Sequence, residues 1–141
     1  MRRLALLLLV LAACGSDSDS EDSVADGTLS LEVDTGELEA GGVPTFRLTV
    51  RNGTPDDVVL TFGSGQSGDI VLSQDGEERW RWSDGLAFTQ AIREEPLAAG
   101  AEGTYELAGS PLAVPPGTYD LEATLTSDPA PTAITSEVTV R

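Results

Sequence analysis

From Thr28 to the end of the chain, apolar and polar residues alternate in short runs that are separated by turn-forming residues. Alternation with a period of two places successive side chains on opposite faces of the backbone, which is typical of half-buried β-strands. Valine and threonine, which favour strands, recur throughout these runs. The pattern predicts eight strands, at residues 28–33, 46–51, 58–62, 69–73, 78–82, 104–107, 118–125 and 134–140.

The residues between these runs favour turns rather than helices. The one helical candidate, residues 88–97, is short and contains Pro96. Asn52–Pro55 and Asp75-Gly76 predict hairpin connections, and Pro116-Gly117 predicts a type II turn with a positive φ at the glycine. We therefore predict an all-β fold, an immunoglobulin-like antiparallel β-sandwich of about seven to eight strands.

Three aromatic residues have predicted structural positions. Tyr119 stands at the start of a late strand, where a tyrosine corner is expected, so its hydroxyl should bond to nearby backbone. Trp80 and Trp82 lie on one face of their strand, and Arg79 and Arg81 lie on the other. We expect at least one tryptophan in the core; the alternative is that one of them lies in a binding cleft.

The N-terminus has the features of an export signal. Two arginines precede an apolar run, Leu4–Val10, that is too short to cross a bilayer as a helix. Leu11-Ala12-Ala13-Cys14 resembles the bacterial lipobox, in which a diacylglycerol is attached to the cysteine before cleavage. We predict that residues 1–13 are a signal peptide and that Cys14 carries a lipid; the alternative is an ordinary signal peptide with an incidental cysteine. A two-chain lipid would hold the protein at the extracytoplasmic side of the cell membrane by the anchor alone.

A low-complexity acidic segment follows the predicted anchor. Residues 14–27 are rich in serine and aspartate and nearly free of large apolar side chains, so we predict a disordered tether. The segment begins like a calcium-binding loop at Asp17, but Asp22 and Thr28 stand where that loop requires glycine and glutamate. We therefore predict no metal site there and a single folded domain at residues 28–141.

Composition excludes several functions. The chain has 8 Lys and Arg, 24 Asp and Glu, no His and one Cys, with a formal net charge of −16. Nucleic-acid binding needs a basic patch, and serine or cysteine catalysis with a histidine base, like imidazole metal sites, needs histidine. The glycine-rich loop 63–68 matches neither a phosphate-binding loop nor a nucleophile elbow. We predict no catalytic residues, no metal and no cofactor; the acidity indicates either adaptation to high salt or coding bias towards arginine.

Ordered motifs across residues 52–119 resemble the BsuPI family, which is named for an intracellular proteinase inhibitor of Bacillus. In order, the motifs are Phe62-Gly-Ser-Gly-Gln66, Trp80-Arg-Trp-Ser-Asp-Gly85, Phe88-Thr-Gln90, Leu97 with Gly100, and Pro115-Pro-Gly-Thr-Tyr119. The resemblance implies an immunoglobulin-like sandwich and inhibition of a subtilisin-type serine protease. Gly68 departs from the family, which often has an aromatic residue at this position. The export signal departs as well, because the name-giving inhibitor acts in the cytoplasm.

Two loops of these motifs are the candidate partner-binding surface. We predict that 63–68 and 83–90 lie near each other, and that a serine protease or another envelope protein contacts Ser64, Gly65, Gln66, Trp82, Ser83, Asp84, Phe88 and Gln90. The alternative is that Gln66, Trp82 and Gln90 form an internal packing and hydrogen-bond motif. At the level of function, the alternative is a non-inhibitory cell-envelope module that binds a protein or a glycan, which an exposed tryptophan would favour.

Overall fold

The computed structural model describes residues 28–141, which form an all-β domain. In this range no helix is long and apolar enough to cross a membrane. The predicted signal peptide, the predicted lipidation site Cys14 and the predicted tether all lie outside the described residues. The strands are β1 (Leu29–Asp34), β2 (Phe46–Asn52), β3 (Val58–Phe62), β4 (Gly68–Gln74), β5 (Glu77–Arg81), β6 (Arg93–Leu97), β7 (Glu102–Leu107), β8 (Gly117–Leu125), β9 (Ser127–Asp128) and β10 (Thr132–Val140).

Three antiparallel sheets surround one hydrophobic core. Their strand orders are β1-β2-β7, β10-β8-β4-β5 and β6-β3-β9. Alternate residues of the central strands point inward, as the period of two predicts. The largest fully buried apolar side chains come from all three sheets and from the segment before β8: Phe46, Leu48, Val50, Leu60, Phe62, Ile70, Leu72, Leu112, Leu121, Leu125 and Val140. The all-β sandwich prediction is confirmed.

The eight predicted strands are all present, with ends that differ by at most two residues, and the structure adds β6 and β9. Strand β6 lies within residues 88–97, the segment discounted as a helix because it is short and contains Pro96. It pairs with β3 alone and is therefore an edge strand, where a residue without an N–H group is tolerated. Strand β9 has two residues, too few to produce a period in the sequence.

The predicted turns have mixed outcomes. Asp75 and Gly76 join β4 to β5 in a hairpin with φ of 56° and 78°, as predicted. The predicted hairpin at Asn52–Pro55 is wrong, because β2 and β3 belong to different sheets. The predicted type II turn at Pro116-Gly117 is also wrong, because Gly117 begins β8 and has no positive φ.

At the position of the expected hairpin, the buried side chain of Asn52 joins two sheets by hydrogen bonds, and we call this set of bonds the Asn52 clamp. Its side chain is fully buried, and its Nδ2 donates to the backbone oxygens of Asp56 (2.8 Å) and Leu97 (2.9 Å). Its Oδ1 accepts from the backbone N–H (3.0 Å) and the hydroxyl (2.6 Å) of Thr54. The side chain therefore satisfies the polar backbone where the chain leaves one sheet and enters the next.

The aromatic predictions are confirmed. The Tyr119 hydroxyl donates to the backbone oxygen of Pro115 at 2.6 Å, which forms the expected corner. Trp80 and Trp82 are only 8% and 6% exposed. Trp80 packs on Phe46 with ring centroids 5.9 Å apart and is one of the residues that line a cleft of about 360 Å³ beside β5. Both tryptophans are buried, which weakens the alternative of a non-inhibitory module that binds a protein or a glycan.

Candidate functional site

The two candidate loops meet at one end of the sandwich. One loop precedes β4 and the other follows β5, and these strands pair antiparallel, so both loops lie at the same end of that sheet. They touch directly, because the backbone N–H of Gly65 donates to the backbone oxygen of Thr89 at 2.8 Å. A Cβ at Gly65 would lie 2.6 Å from the Thr89 hydroxyl, so only glycine fits this approach without movement. The structure thus places the loops together.

The loop between β3 and β4 is held in place on several sides. The Gln66 amide Nε2 donates to the backbone oxygen of Gly68 at 2.9 Å, and its backbone N–H donates to the Ser64 hydroxyl at 3.1 Å. Thr126, which follows β8, makes two hydrogen bonds to this loop. Its hydroxyl donates to the backbone oxygen of Gln66 (2.6 Å), and its backbone N–H donates to the backbone oxygen of Ser67 (3.0 Å). Gln66 therefore supports the shape of its own loop, as the internal-motif alternative proposed for this residue.

Arg93, the first residue of β6, fastens the same loop from another direction. Its guanidinium lies 4.2 Å from the ring centre of Phe62 and donates to the Ser67 hydroxyl at 2.9 Å. The other terminal nitrogen forms an ion pair with Glu95 at 2.8 Å. A guanidinium stacked on an aromatic ring and hydrogen-bonded in its plane has a fixed position, so Arg93 joins the β3–β4 loop to the start of β6.

Asp69 organises the start of the second loop, and it was not among the predicted site residues. One carboxylate oxygen accepts from the Ser83 hydroxyl (2.7 Å) and from Arg81 (3.1 Å), and the other accepts from the Ser83 backbone N–H (3.1 Å). Arg81 also pairs with Glu78 at 2.8 Å, and the hydrogen bonds to Glu78 and Asp69 raise the pKa of Arg81. A sequence signal did exist, because Asp69 is the one charged residue between Asp57 and Asp75.

The second loop rests on Trp82. The Trp82 ring packs against Phe88 with centroids 5.8 Å apart and planes inclined at 41°. The backbone oxygen of Trp82 accepts from the Ser110 hydroxyl at 2.8 Å, and its backbone N–H donates to the backbone oxygen of Ile70 at 2.8 Å. Trp82 is therefore a support beneath the loop rather than a contact surface. Of the predicted residues nearby, Phe88 is half-buried and Gln90 is exposed.

The remaining predicted residues of this loop differ in their surroundings. Ser83 is half-buried and directed to Asp69, whereas Asp84 is exposed at the turn. Gly68, where the family often has an aromatic residue, faces the core. A Cβ there would lie 2.6 Å from Leu48 Cδ1 and 3.0 Å from the Thr124 backbone oxygen. Core packing thus explains the glycine, because neighbouring atoms leave no room for a ring.

The two loops carry almost none of the charge of the protein. Loop 83–90 has Asp84 as its one ionisable side chain, but residues 63–68 and 85–92 contain none, although the chain has 24 Asp and Glu and 8 Lys and Arg. Ile92, in the second of these stretches, is 73% exposed. A surface poor in charged side chains that displays a large apolar one is typical of the centre of a protein–protein interface, where charged residues are depleted.

Fold and site together define a small β-sandwich domain with an interlocked pair of loops at one end. The model of the BsuPI family, described as intracellular proteinase inhibitor, matches residues 31–130. The match spans more than half of the chain, so the protein belongs to the BsuPI family, a family of inhibitors rather than enzymes. No curated protein matches the chain in sequence.

Comparison with solved structures finds similarities at low sequence identity. Spo0M, a sporulation control protein from Bacillus subtilis, is similar with a TM-score of 0.52 and 12% identity over 82% of this chain and 50% of that chain. The chain thus spans about half the length of Spo0M. A CARDB domain from Pyrococcus furiosus is similar with a TM-score of 0.45 and 13% identity, over 86% of this chain and 95% of that chain. At these identities the likeness to Spo0M concerns the fold alone.

Proposed function

We propose that the protein is a non-enzymatic inhibitor of a subtilisin-type serine protease and that it acts outside the cell membrane. The proposal is supported by membership of an inhibitor family and by one observation on the site. The loop 63–68 and the stretch 85–92, neither of which has an ionisable side chain, are joined by the Gly65–Thr89 backbone hydrogen bond at one end of the sandwich. A non-covalent inhibitor needs such a surface, because a loop that is already ordered loses little entropy on binding.

The proposed location rests on the N-terminal sequence. The basic start, the short apolar run and Leu11-Ala12-Ala13-Cys14 support a lipid anchor, and the acidic segment after it supports a tether. The target protease would then be secreted or bound to the envelope, unlike the target of an intracellular inhibitor. Substitution Cys14→Ser should move the protein from the membrane fraction to the soluble fraction and abolish labelling by radioactive fatty acid. Unchanged labelling of the variant would contradict the assignment of Cys14.

The inhibitor proposal is tested by titration of protease activity. The full-length chain, purified in detergent, is added in increasing amounts to a panel of subtilisin-type proteases, and residual peptidase activity is measured. We expect stoichiometric inhibition of at least one member, with the protein recovered intact. The matched control is the same protease with its active-site serine covalently blocked, which should not bind if the loops occupy the substrate cleft. Absence of inhibition by demonstrably folded protein would favour the non-inhibitory envelope module instead.

A further inference from the structure

The segment after the Trp82 support has the form of an exposed strap fixed at both ends. Residues 86–92 lie outside the strands and turns, and most of their side chains are exposed. At one end, Phe88 packs on Trp82 and the backbone oxygen of Thr89 accepts from Gly65. At the other end, the chain enters β6 at Arg93. The free part of the strap is therefore short: Gln90, Ala91 and Ile92.

The C-terminal end of the strap is held by Arg93, whose side chain makes several contacts in addition to its strand pairing. Arg93 pairs in register with Phe62, stacks its guanidinium on that ring, and bonds to Ser67 and Glu95. These contacts hold the residue immediately after Ile92 independently of any partner. A peptide segment fixed on both sides keeps one conformation at little further entropic cost, which is the requirement for a tightly bound substrate-like loop.

Ile92 differs from the other exposed large apolar side chains in residues 28–141. Ile134 and Val59, which are 71% and 50% exposed, project from paired strands. Val43, 60% exposed, lies beside the carboxylates Glu37 and Glu39. Ile92 alone among these four lies on the uncharged strap, and at 73% it is the most exposed. An apolar side chain displayed in this way is suited to an apolar pocket on a partner.

We infer that residues 90–92 enter the substrate cleft of the target protease, with the Ile92 side chain in an apolar specificity pocket. This inference rests on the proposed inhibitor function and names the element that carries it. Proteases bind peptide segments in a cleft with side chains in separate pockets. The strap lies outside the strands and displays the Ile92 side chain. The partner is thus a serine endopeptidase that accepts a branched aliphatic side chain.

The test compares two exposed isoleucines in the full-length chain. Ile92→Glu should weaken inhibition of the protease identified above by about 30-fold or more, the size of an interface hot spot, because the pocket would receive a charge. Ile134→Glu is the matched control, with nearly equal exposure on β10, and should stay within about threefold of the wild type. Ile92→Leu should retain most of the inhibition, and all three variants should melt close to the wild type.

The outcomes separate the two proposals. If the wild-type chain inhibits and Ile92→Glu inhibits within about threefold of it, the assignment of Ile92 is wrong while the inhibitor function stands. If Ile134→Glu weakens inhibition as much as Ile92→Glu, the effect is one of general charge and the assignment also falls. If the folded wild-type chain inhibits no protease of the panel, the proposed function itself is refuted.

Discussion

The clamp at Asn52 allows a quantitative test of how the sheets are joined. Asn52→Ala removes four hydrogen bonds of a fully buried side chain, two donated by Nδ2 and two accepted by Oδ1. A hydrogen bond contributes about 1 kcal/mol net, and the loss of a buried partner costs more than the loss of an exposed one. We expect the free energy of unfolding to fall by about 3–5 kcal/mol, against a total of roughly 5–15 kcal/mol for a domain of this kind.

Gln74 provides the matched control for this substitution. Its Nε2 also donates to a backbone oxygen, that of Thr118 at 3.1 Å, but the bond is exposed. Gln74→Ala should therefore cost less than about 1 kcal/mol. Urea unfolding followed by tryptophan fluorescence measures both variants, since Trp80 and Trp82 are buried. The reasoning is refuted if Asn52→Ala costs no more than Gln74→Ala, because burial would then add nothing to the value of the amide.

Three further results are expected. Gly65→Ala should weaken protease inhibition, because the added Cβ would lie 2.6 Å from the Thr89 hydroxyl. Adding Thr89→Ala should restore part of the inhibition. Equal inhibition by Gly65→Ala and wild type would show that the close contact between the two loops is not needed. Burial and a hydrogen bond to Glu95 raise the pKa of Tyr105, so the stability from the neutral phenol is complete below about pH 10 and falls as the pH rises above that value. Urea midpoints at about pH 9 and about pH 11 should therefore differ more for wild type than for Tyr105→Phe, and equal differences would contradict the assignment. Moderate NaCl should raise the melting temperature, because salt screens the repulsion within a chain of net charge −16. An unchanged melting temperature would show that charge repulsion does not destabilise the folded domain.

Much of the candidate site could be predicted because its elements are local in the chain. The Ser-Gly-Gln loop and the Trp-Arg-Trp-Ser segment stand at the ends of strands that pair as neighbours, so their proximity follows from one hairpin, β4 to β5. The roles of individual residues could not be predicted in this way. Asp69 reaches Ser83 across the β4–β5 hairpin. Arg93 and Thr126 reach the first loop from β6 and from the end of β8, and these contacts depend on which distant strands become neighbours.

The amino-acid sequence alone determined the fold class and the positions of eight strands, because side-chain alternation is a local property with a period of two. It also determined the corner at Tyr119, which bonds to a residue four positions earlier. The tertiary structure decided that Asn52 ends strand β2 and does not start a hairpin. Its side chain donates to the backbone oxygen of Leu97, which is 45 residues away in the chain. It also decided that Pro96 lies in a strand, because only an edge of a sheet tolerates the missing N–H. Such outcomes depend on which segments become neighbours in space, and no local period of the chain encodes that choice.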